Sequence, residues 1–278
     1  MKKSFKIIFI FTVIFGLGLL GVSVWMYSII PDRKQLTSCM ITRMYKVTLC
    51  PGTSNYIPLN QISKFMQKAV VLTEDSRFFE HKGFDWESIE KSAKENLAKG
   101  KIKRGGSTIT QQLAKNLYLT KDKSMVRKLA EAFITIQIER HLTKKEILEK
   151  YLNVIEFGQD IYGIKAAARH YFDKTPAQLD VIESAFLAML LPNPIKYSRS
   201  FKSKQLTPFA YSRVKTIIEN LYQYNRITEA DYVSARQRLE FFLSKDEKEK
   251  LEAKSAEQLQ EELLMDEGSQ GEEDQESN

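Results

Sequence analysis

Residues 7–30 form an almost wholly apolar, uncharged stretch, longer than the roughly 20 residues a helix needs to cross the hydrocarbon core of a bilayer. A segment in lipid has to satisfy its own backbone hydrogen bonds, so this one is expected to be a single transmembrane helix. Lys2, Lys3 and Lys6 precede it, which places the N-terminus in the cytoplasm and the rest of the chain on the other side of the membrane. The competing reading is a cleaved signal peptide, whose apolar stretch is usually about 7–15 residues and ends at small residues. Here the stretch is longer and runs into Val24, Trp25, Met26 and Tyr27, which favours an uncleaved anchor.

Beyond the anchor, residues 31–61 mix β-branched residues with Pro51, Gly52 and Pro58, a pattern expected to give an approach segment with one short strand pair. Residues 62–244 are expected to form one mainly α domain, because apolar residues recur there at three and four spacing. A composition of 43% hydrophobic and 28% charged residues excludes a wholly disordered chain and allows a core. The formal charge of +7 is unevenly spread, since residues 245–278 carry 4 lysines against 13 Asp and Glu. The body is therefore basic and the tail acidic, with the tail expected to be helical as far as Met265 and disordered afterwards. A basic body suits nucleic acid, anionic lipid or pyrophosphate alike, so charge alone does not choose among them. Cys39 and Cys50 lack neighbours of metal-binding type, and their spacing leaves open whether they form a disulfide.

Three helix starts are legible inside the body. Thr108 with Gln111 and Thr143 with Glu146 have capping-box spacing, and Thr175-Pro176 offers an N-cap followed by proline at the first helical position. The last is expected to open a buried central helix carrying Leu179, Ile182, Ala185, Phe186, Met189 and Leu190, stopped at Pro192-Asn193-Pro194. Further helices are expected over 208–224 and 228–243.

Four clusters carry candidate chemistry. Glu74 and Asp75 follow the apolar run Ala69-Val70-Val71-Leu72, and a carboxylate at the end of a buried element can have its pKa raised into the range of a general base. Gly105-Gly106-Ser107-Thr108 leads into Gln111 and Gln112, a flexible turn feeding a helix N-terminus suited to phosphate or sugar oxygens, or simply to capping. Arg127, Lys128 and Glu131 open a strongly apolar helix, with Lys115, Lys121 and Lys123 upstream. A surface ion pair would explain Arg127 and Glu131 by themselves, whereas several cations around one carboxylate suit a dianionic leaving group. Glu149 and Asn153, four apart, are as well suited to orienting other groups as to direct chemistry.

In order and spacing these blocks resemble the family 51 peptidoglycan glycosyltransferases, found alone or as a domain of class A penicillin-binding proteins. The resemblance rests on Glu74-Asp-x-x-Phe78, His81-x-Gly83, Gly106-Ser-Thr-Ile-Thr-Gln-Gln112, Arg127-Lys-x-x-Glu131 and Ile147-Leu-Glu-x-Tyr-Leu-Asn153. Phe84-Asp85-Trp86-Glu87 and the residues from Tyr151 to Gly158 are similar to the monofunctional, single-domain branch, and too few residues follow Tyr197 for a penicillin-binding domain. The resemblance implies a lysozyme-like, mostly α fold with a smaller jaw lobe and a long cleft. It also implies a membrane enzyme that polymerises lipid II into β-1,4-linked glycan with inversion at the donor carbon and release of undecaprenyl diphosphate. Glu74 would be the base toward the acceptor hydroxyl, and Glu131 would assist at the donor.

On the same resemblance Lys115, Lys123, Arg127 and Lys128 would bind pyrophosphate, with Lys123 standing where relatives often have arginine and so giving up bidentate geometry. Ser107, Thr108, Gln111 and Gln112 would contact substrate, and Asp75, Phe78, His81, Gly83, Glu149 and Asn153 would support the site. A cationic site is what a charged diphosphate leaving group requires, in contrast to the alkoxide that a glycosidase has to protonate. No cofactor is obligatory, a divalent cation (Mg or Mn) can assist at the diphosphate, and no independent metal site is expected. Expected partners are lipid II, the growing lipid-linked glycan, membrane lipids, other peptidoglycan synthases and divisome or elongasome proteins, with no nucleic acid. The competing readings are a lytic transglycosylase or muramidase that cuts existing glycan, and an inactive membrane scaffold.

Overall fold

The computed structural model describes residues 2–99, 106–122, 124–244, 246 and 253. Gly105, Lys123 and the expected acidic tail, apart from residues 246 and 253, lie outside the described residues.

The molecule is mainly helical. Helix α1 (Lys2–Ile29) precedes α2 (Arg33–Thr37), the strands β1 (Met40–Ile41) and β2 (Thr48–Leu49), α3 (Lys64–Glu74), α4 (Trp86–Lys99), α5 (Ile109–Tyr118), α6 (Met125–His141) and α7 (Lys144–Val154). There follow β3 (Glu156–Gly158), β4 (Ile161–Tyr162), α8 (Ile164–Phe172), α9 (Val181–Leu190), α10 (Pro194–Tyr197), α11 (Arg199–Lys202), α12 (Pro208–Gln223) and α13 (Glu229–Arg238). The strands form two antiparallel hairpins, β1 with β2 and β3 with β4.

Within α1, Ile8–Trp25 has a mean hydropathy of 2.3 and is long and apolar enough to cross a membrane. Helix α1 lies against α6. On α6 the apolar residues divide: Ala130, Ile134 and Ile138 are buried, whereas Met125, Val126, Leu129, Phe133 and Ile136 are exposed. That exposed set recurs along one face at helical spacing, which leaves an apolar stripe uncovered by protein.

Helix α9 is buried at every position, and α3, α12 and α13 pack around it. An all-round apolar sequence has no face to give to solvent, so it occupies the centre and its neighbours turn their apolar stripes inward. Its start corrects the expectation from Thr175. Thr175 and Gln178 form a capping box, but on a single 3-10 turn, Pro176–Gln178. The chain then extends through Leu179, and α9 begins after Asp180, whose carboxylate accepts the Glu183 N–H while the Glu183 side chain accepts the Asp180 N–H. Ser63 holds the short turn in place, its hydroxyl donating to the Leu179 carbonyl at 2.6 Å and its N–H to the Pro176 carbonyl at 2.9 Å. The two other expected capping boxes open α5 and α7.

Residues 31–61 do more than approach the body. Leu36, Leu49 and Tyr56 enter its core, and Cys39 and Cys50 are joined in a disulfide across the β1–β2 hairpin. Beyond β1, the Arg43 N–H donates to the Leu117 carbonyl at 2.9 Å and the Met44 N–H to the Asn116 carbonyl at 3.3 Å. These carbonyls belong to the last turn of α5, whose orphan acceptors the hairpin therefore satisfies.

Candidate active site

Glu74 is the last residue of α3 and Asp75 is its C-cap. Asp75 is buried and spans three elements. Its Oδ1 lies 2.8 Å from His81 Nε2, and its Oδ2 accepts the Ile109 N–H at 3.0 Å at the first position of α5. Burial pushes the Asp75 carboxyl up from its ordinary value, and the bonds from His81 and Ile109 oppose that shift. Asp75 thus fixes the end of α3 against the start of α5.

Gly83 completes the junction. Its backbone has φ +90°, and a Cβ there would meet Thr135 Cγ2 at 2.8 Å, so both conformation and space call for glycine. The Gly83 carbonyl accepts the Thr108 hydroxyl at 2.7 Å. Thr108 and Gln111 are buried and reciprocally capped, the Gln111 N–H donating to Thr108 Oγ1 and the Thr108 N–H to Gln111 Oε1. The side chains of both residues are engaged in building the N-terminus of α5. Ser107 beside them is exposed, and Phe78 is buried under the Lys144 ammonium, 4.4 Å from its ring centre.

The next turn of α5 reaches Glu74. Gln112 Nε2 donates to Glu74 Oε2 at 2.8 Å, and Gln112 Oε1 accepts the Tyr151 hydroxyl from α7 at 3.0 Å. Because Tyr151 donates to the amide oxygen, the amide N–H₂ is turned toward the carboxylate. Burial raises the Glu74 pKa, while the Gln112 bond and the charges of Lys115 and Arg213 pull it back. This is a half-buried carboxylate raised by its surroundings yet held as an acceptor, the state a general base requires.

Glu131 lies in the first half of α6 and is 3% exposed, so its charge needs partners. Arg127 NH1 donates to Glu131 Oε2 at 3.1 Å, and Lys128 Nζ bonds Glu131 Oε1. Two cations on one carboxylate leave a net positive charge there. Lys115, one turn beyond Gln112, is within electrostatic reach of Glu131, Arg127, Lys128 and Glu74, and its burial lowers its pKa. Its charge therefore acts on both carboxylates. The structure brings Glu74, Gln112, Lys115, Arg127, Lys128 and Glu131 into one charged neighbourhood, whereas Lys123 falls outside the described residues.

Glu149 and Asn153 face elsewhere. Glu149 accepts the Tyr56 hydroxyl and, at 2.7 Å, the Leu59 N–H. Asn153 exchanges bonds with the Ile57 backbone, accepting at 2.8 Å and donating at 2.9 Å. Both pin residues 56–59 to α7, the orienting role their spacing allowed.

Two residues at the site had no role assigned from sequence. Tyr151 sits in the Glu149-x-Tyr151 motif, but its link to Gln112 crosses 39 positions. Arg213 is an exposed arginine on α12, within electrostatic reach of Glu74. An arginine on an amphipathic helix reads as a solvated face, and only the packing of α12 against α3 gives it a carboxylate.

Fold and site together define a mostly helical protein, bearing one span-length apolar helix among the described residues, whose site couples a half-buried carboxylate to a cation-clamped one. Residues 43–222 match the family model described as Transglycosylase, and the chain belongs to that family. It is similar to proteins named biosynthetic peptidoglycan transglycosylase. The relative from Dechloromonas aromatica (strain RCB) is 47% identical over 151 residues, 54% of this chain and 65% of the relative. Those from Nitrosospira multiformis and Azoarcus sp. (strain BH72) are 43% identical over 165 residues and 49% over 146 residues, covering 59% and 52% of this chain and 70% and 63% of theirs. The chain thus aligns with slightly less than two thirds of two of these three relatives.

Proposed function

We propose that the protein is a peptidoglycan glycosyltransferase that polymerises lipid II into β-1,4-linked glycan with inversion at the donor carbon, releasing undecaprenyl diphosphate. The observation that carries this reading is the pairing of a raised, half-buried Glu74 with the Lys115, Arg127, Lys128 and Glu131 cluster. Glu74 takes the proton of the acceptor 4-hydroxyl as that oxygen attacks the donor carbon. The C–O bond to the diphosphate breaks in the same displacement, and the cations receive the departing anion. Charge is stabilised where it develops, so the donor side needs no strong acid.

In this reading Gln112 and Tyr151 orient Glu74, Arg213 lies on its acceptor side, and Asp75, His81, Phe78 and Gly83 set the α3–α5 junction. Ser107 and the N-terminus of α5 face substrate, and Lys123 adds to the cations. Among the described residues no group of three or more His, Cys, Asp or Glu is placed to hold a metal. A divalent cation that assists would be held with the diphosphate. The protein sits as a single-pass protein of the cytoplasmic membrane with its catalytic body on the outer side. The span-length α1, the uncovered apolar stripe of α6 and the disulfide support that placement.

The rival reading is cleavage of finished glycan. Full-length protein is incubated separately with lipid II and with purified sacculi. Growth of glycan from lipid II and no release of fragments from sacculi is the expected result. Release from sacculi without growth would overturn the proposal.

A further inference from the structure

Two adjoining hollows lie at the foot of α1. The smaller, about 200 Å³, is lined by Trp25, Arg43, Tyr118, Asp122, Ser124 and Arg127 among others. The larger, about 650 Å³, shares Arg43 and Tyr118 and adds Lys46 and Gln35. Two of the donors here are buried and unused, since Tyr118 Oη and Arg127 Nε have no hydrogen-bond partner among the described residues. Buried donors are nearly always paired, so two together indicate a missing acceptor.

The chemistry of that acceptor can be read from its surroundings. Burial, with the nearby charge of Asp32, pushes the Tyr118 phenol well above its usual range, so Tyr118 donates and does not ionise. Arg127 spends NH1 on Glu131, and its buried Nε has no partner among the described residues. Arg43 adds a second guanidinium, and its backbone is fixed by the bond to Leu117. Two carboxylates are close, but neither accepts from Tyr118 Oη or Arg127 Nε. Asp32 caps α2 by accepting the Gln35 N–H at 2.7 Å, and Asp122 accepts the Thr120 hydroxyl at 2.7 Å. Two guanidiniums and a phenol in one hollow suit a single tetrahedral oxyanion.

Its source follows from Trp25, which lies in the last two turns of α1 and lines the same hollow. A tryptophan at the end of a span marks the headgroup level of a bilayer, so the hollow opens where lipid phosphates lie. We propose that Arg43, Tyr118 and Arg127 bind the phosphate of an anionic membrane phospholipid and so seat the base of α1 against α5 and α6. Arg127 then links that lipid to Glu131 through a single guanidinium. The proposal shares Arg127 with the cation cluster assigned to the reaction above, so its test varies Arg43 and Tyr118 and leaves Arg127 intact.

The test uses fluorescence, because the chain has two tryptophans and Trp86→Phe leaves Trp25 as the only one. Full-length Trp86→Phe protein is placed in nanodiscs containing brominated phosphatidylglycerol or brominated phosphatidylcholine at equal mole fraction. The expected result is enrichment of the anionic lipid around Trp25 by about fivefold, as expected when a basic residue near the surface attracts an anionic lipid. The preference should weaken in Tyr118→Phe and vanish in Arg43→Gln/Tyr118→Phe. Equal quenching by the two lipids, already readable before any site variant is made, would overturn the proposal, as would a preference that survives the double variant. Loss of the preference on adding millimolar inorganic phosphate, or equimolar lipid diphosphate, would also overturn it by assigning the hollow to soluble phosphate or to substrate.

Discussion

Glu74 is held by a relay of two side chains, and the relay makes a signed prediction. The Gln112 N–H favours the charged carboxylate and so lowers its pKa. Gln112→Ala should therefore raise the Glu74 pKa further, and the acidic limb of the pH–rate profile should move to higher pH. An unmoved limb would detach Gln112 from the base. Stability gives the complementary sign. The folded pKa of Glu74 lies above its ordinary 4.5, so its contribution to stability is fully present below that value and is lost as pH rises through the folded pKa. Above the folded pKa that contribution is gone, and Glu74→Gln should melt higher than wild type there, with the gap closing in acid. Thermal melts at several pH values check this. Glu74 itself was legible as the end of an apolar run inside a specific motif, whereas Tyr151 and Arg213 reach the site across the fold and left no local signal.

At the scale of elements, capping chemistry was readable where one box had no competitor and misleading where two followed closely. Thr108 and Thr143 each open the helix their spacing indicated. Thr175 and Asp180 both form complete capping boxes, and a local pattern cannot say which one starts the long helix. Packing decides it, since Ser63 holds the Thr175 turn as a separate element. Asp180→Ala should destabilise the protein by about 1–2 kcal/mol, the range for lost N-caps, because it also removes an acceptor of Arg238. Thr175→Ala, on a turn of 3 residues, should cost less. Denaturant midpoints of the two variants compare them directly, and the reverse order would show that the first box carries the helix. The helix at 228–243 was expected too long: α13 ends at Arg238. The β3–β4 hairpin was not foreseen, because strands of three and two residues are too short to show a period.

For the whole molecule, the sequence announced one apolar span, a basic body and a mainly helical domain. It did not show how residues 31–61 join that body, because their anchors are backbone bonds to α5 and long-range bonds to Glu149 and Asn153 on α7, while spacing leaves undetermined the disulfide that closes the hairpin within the segment. Cys39→Ser/Cys50→Ser should lower stability by about 2–4 kcal/mol, the usual range for a native disulfide. Hydrogen exchange should then quicken at the last turn of α5, which the Arg43 and Met44 N–H groups cap. Unchanged exchange there would separate the hairpin from the helix that carries Gln112 and Lys115. These features converge on a body that presents a carboxylate and a group of cations and is preceded by a helix long and apolar enough to cross a membrane. The central claim is that Glu74 is the base of glycan polymerisation, and the most direct measurement is product formation from lipid II by purified full-length Glu74→Gln. The account predicts loss of polymer by about 10²–10⁴-fold, the usual contribution of a positioned general base, with melting at least as high as wild type. Polymer formed at the wild-type rate by that folded variant would contradict it.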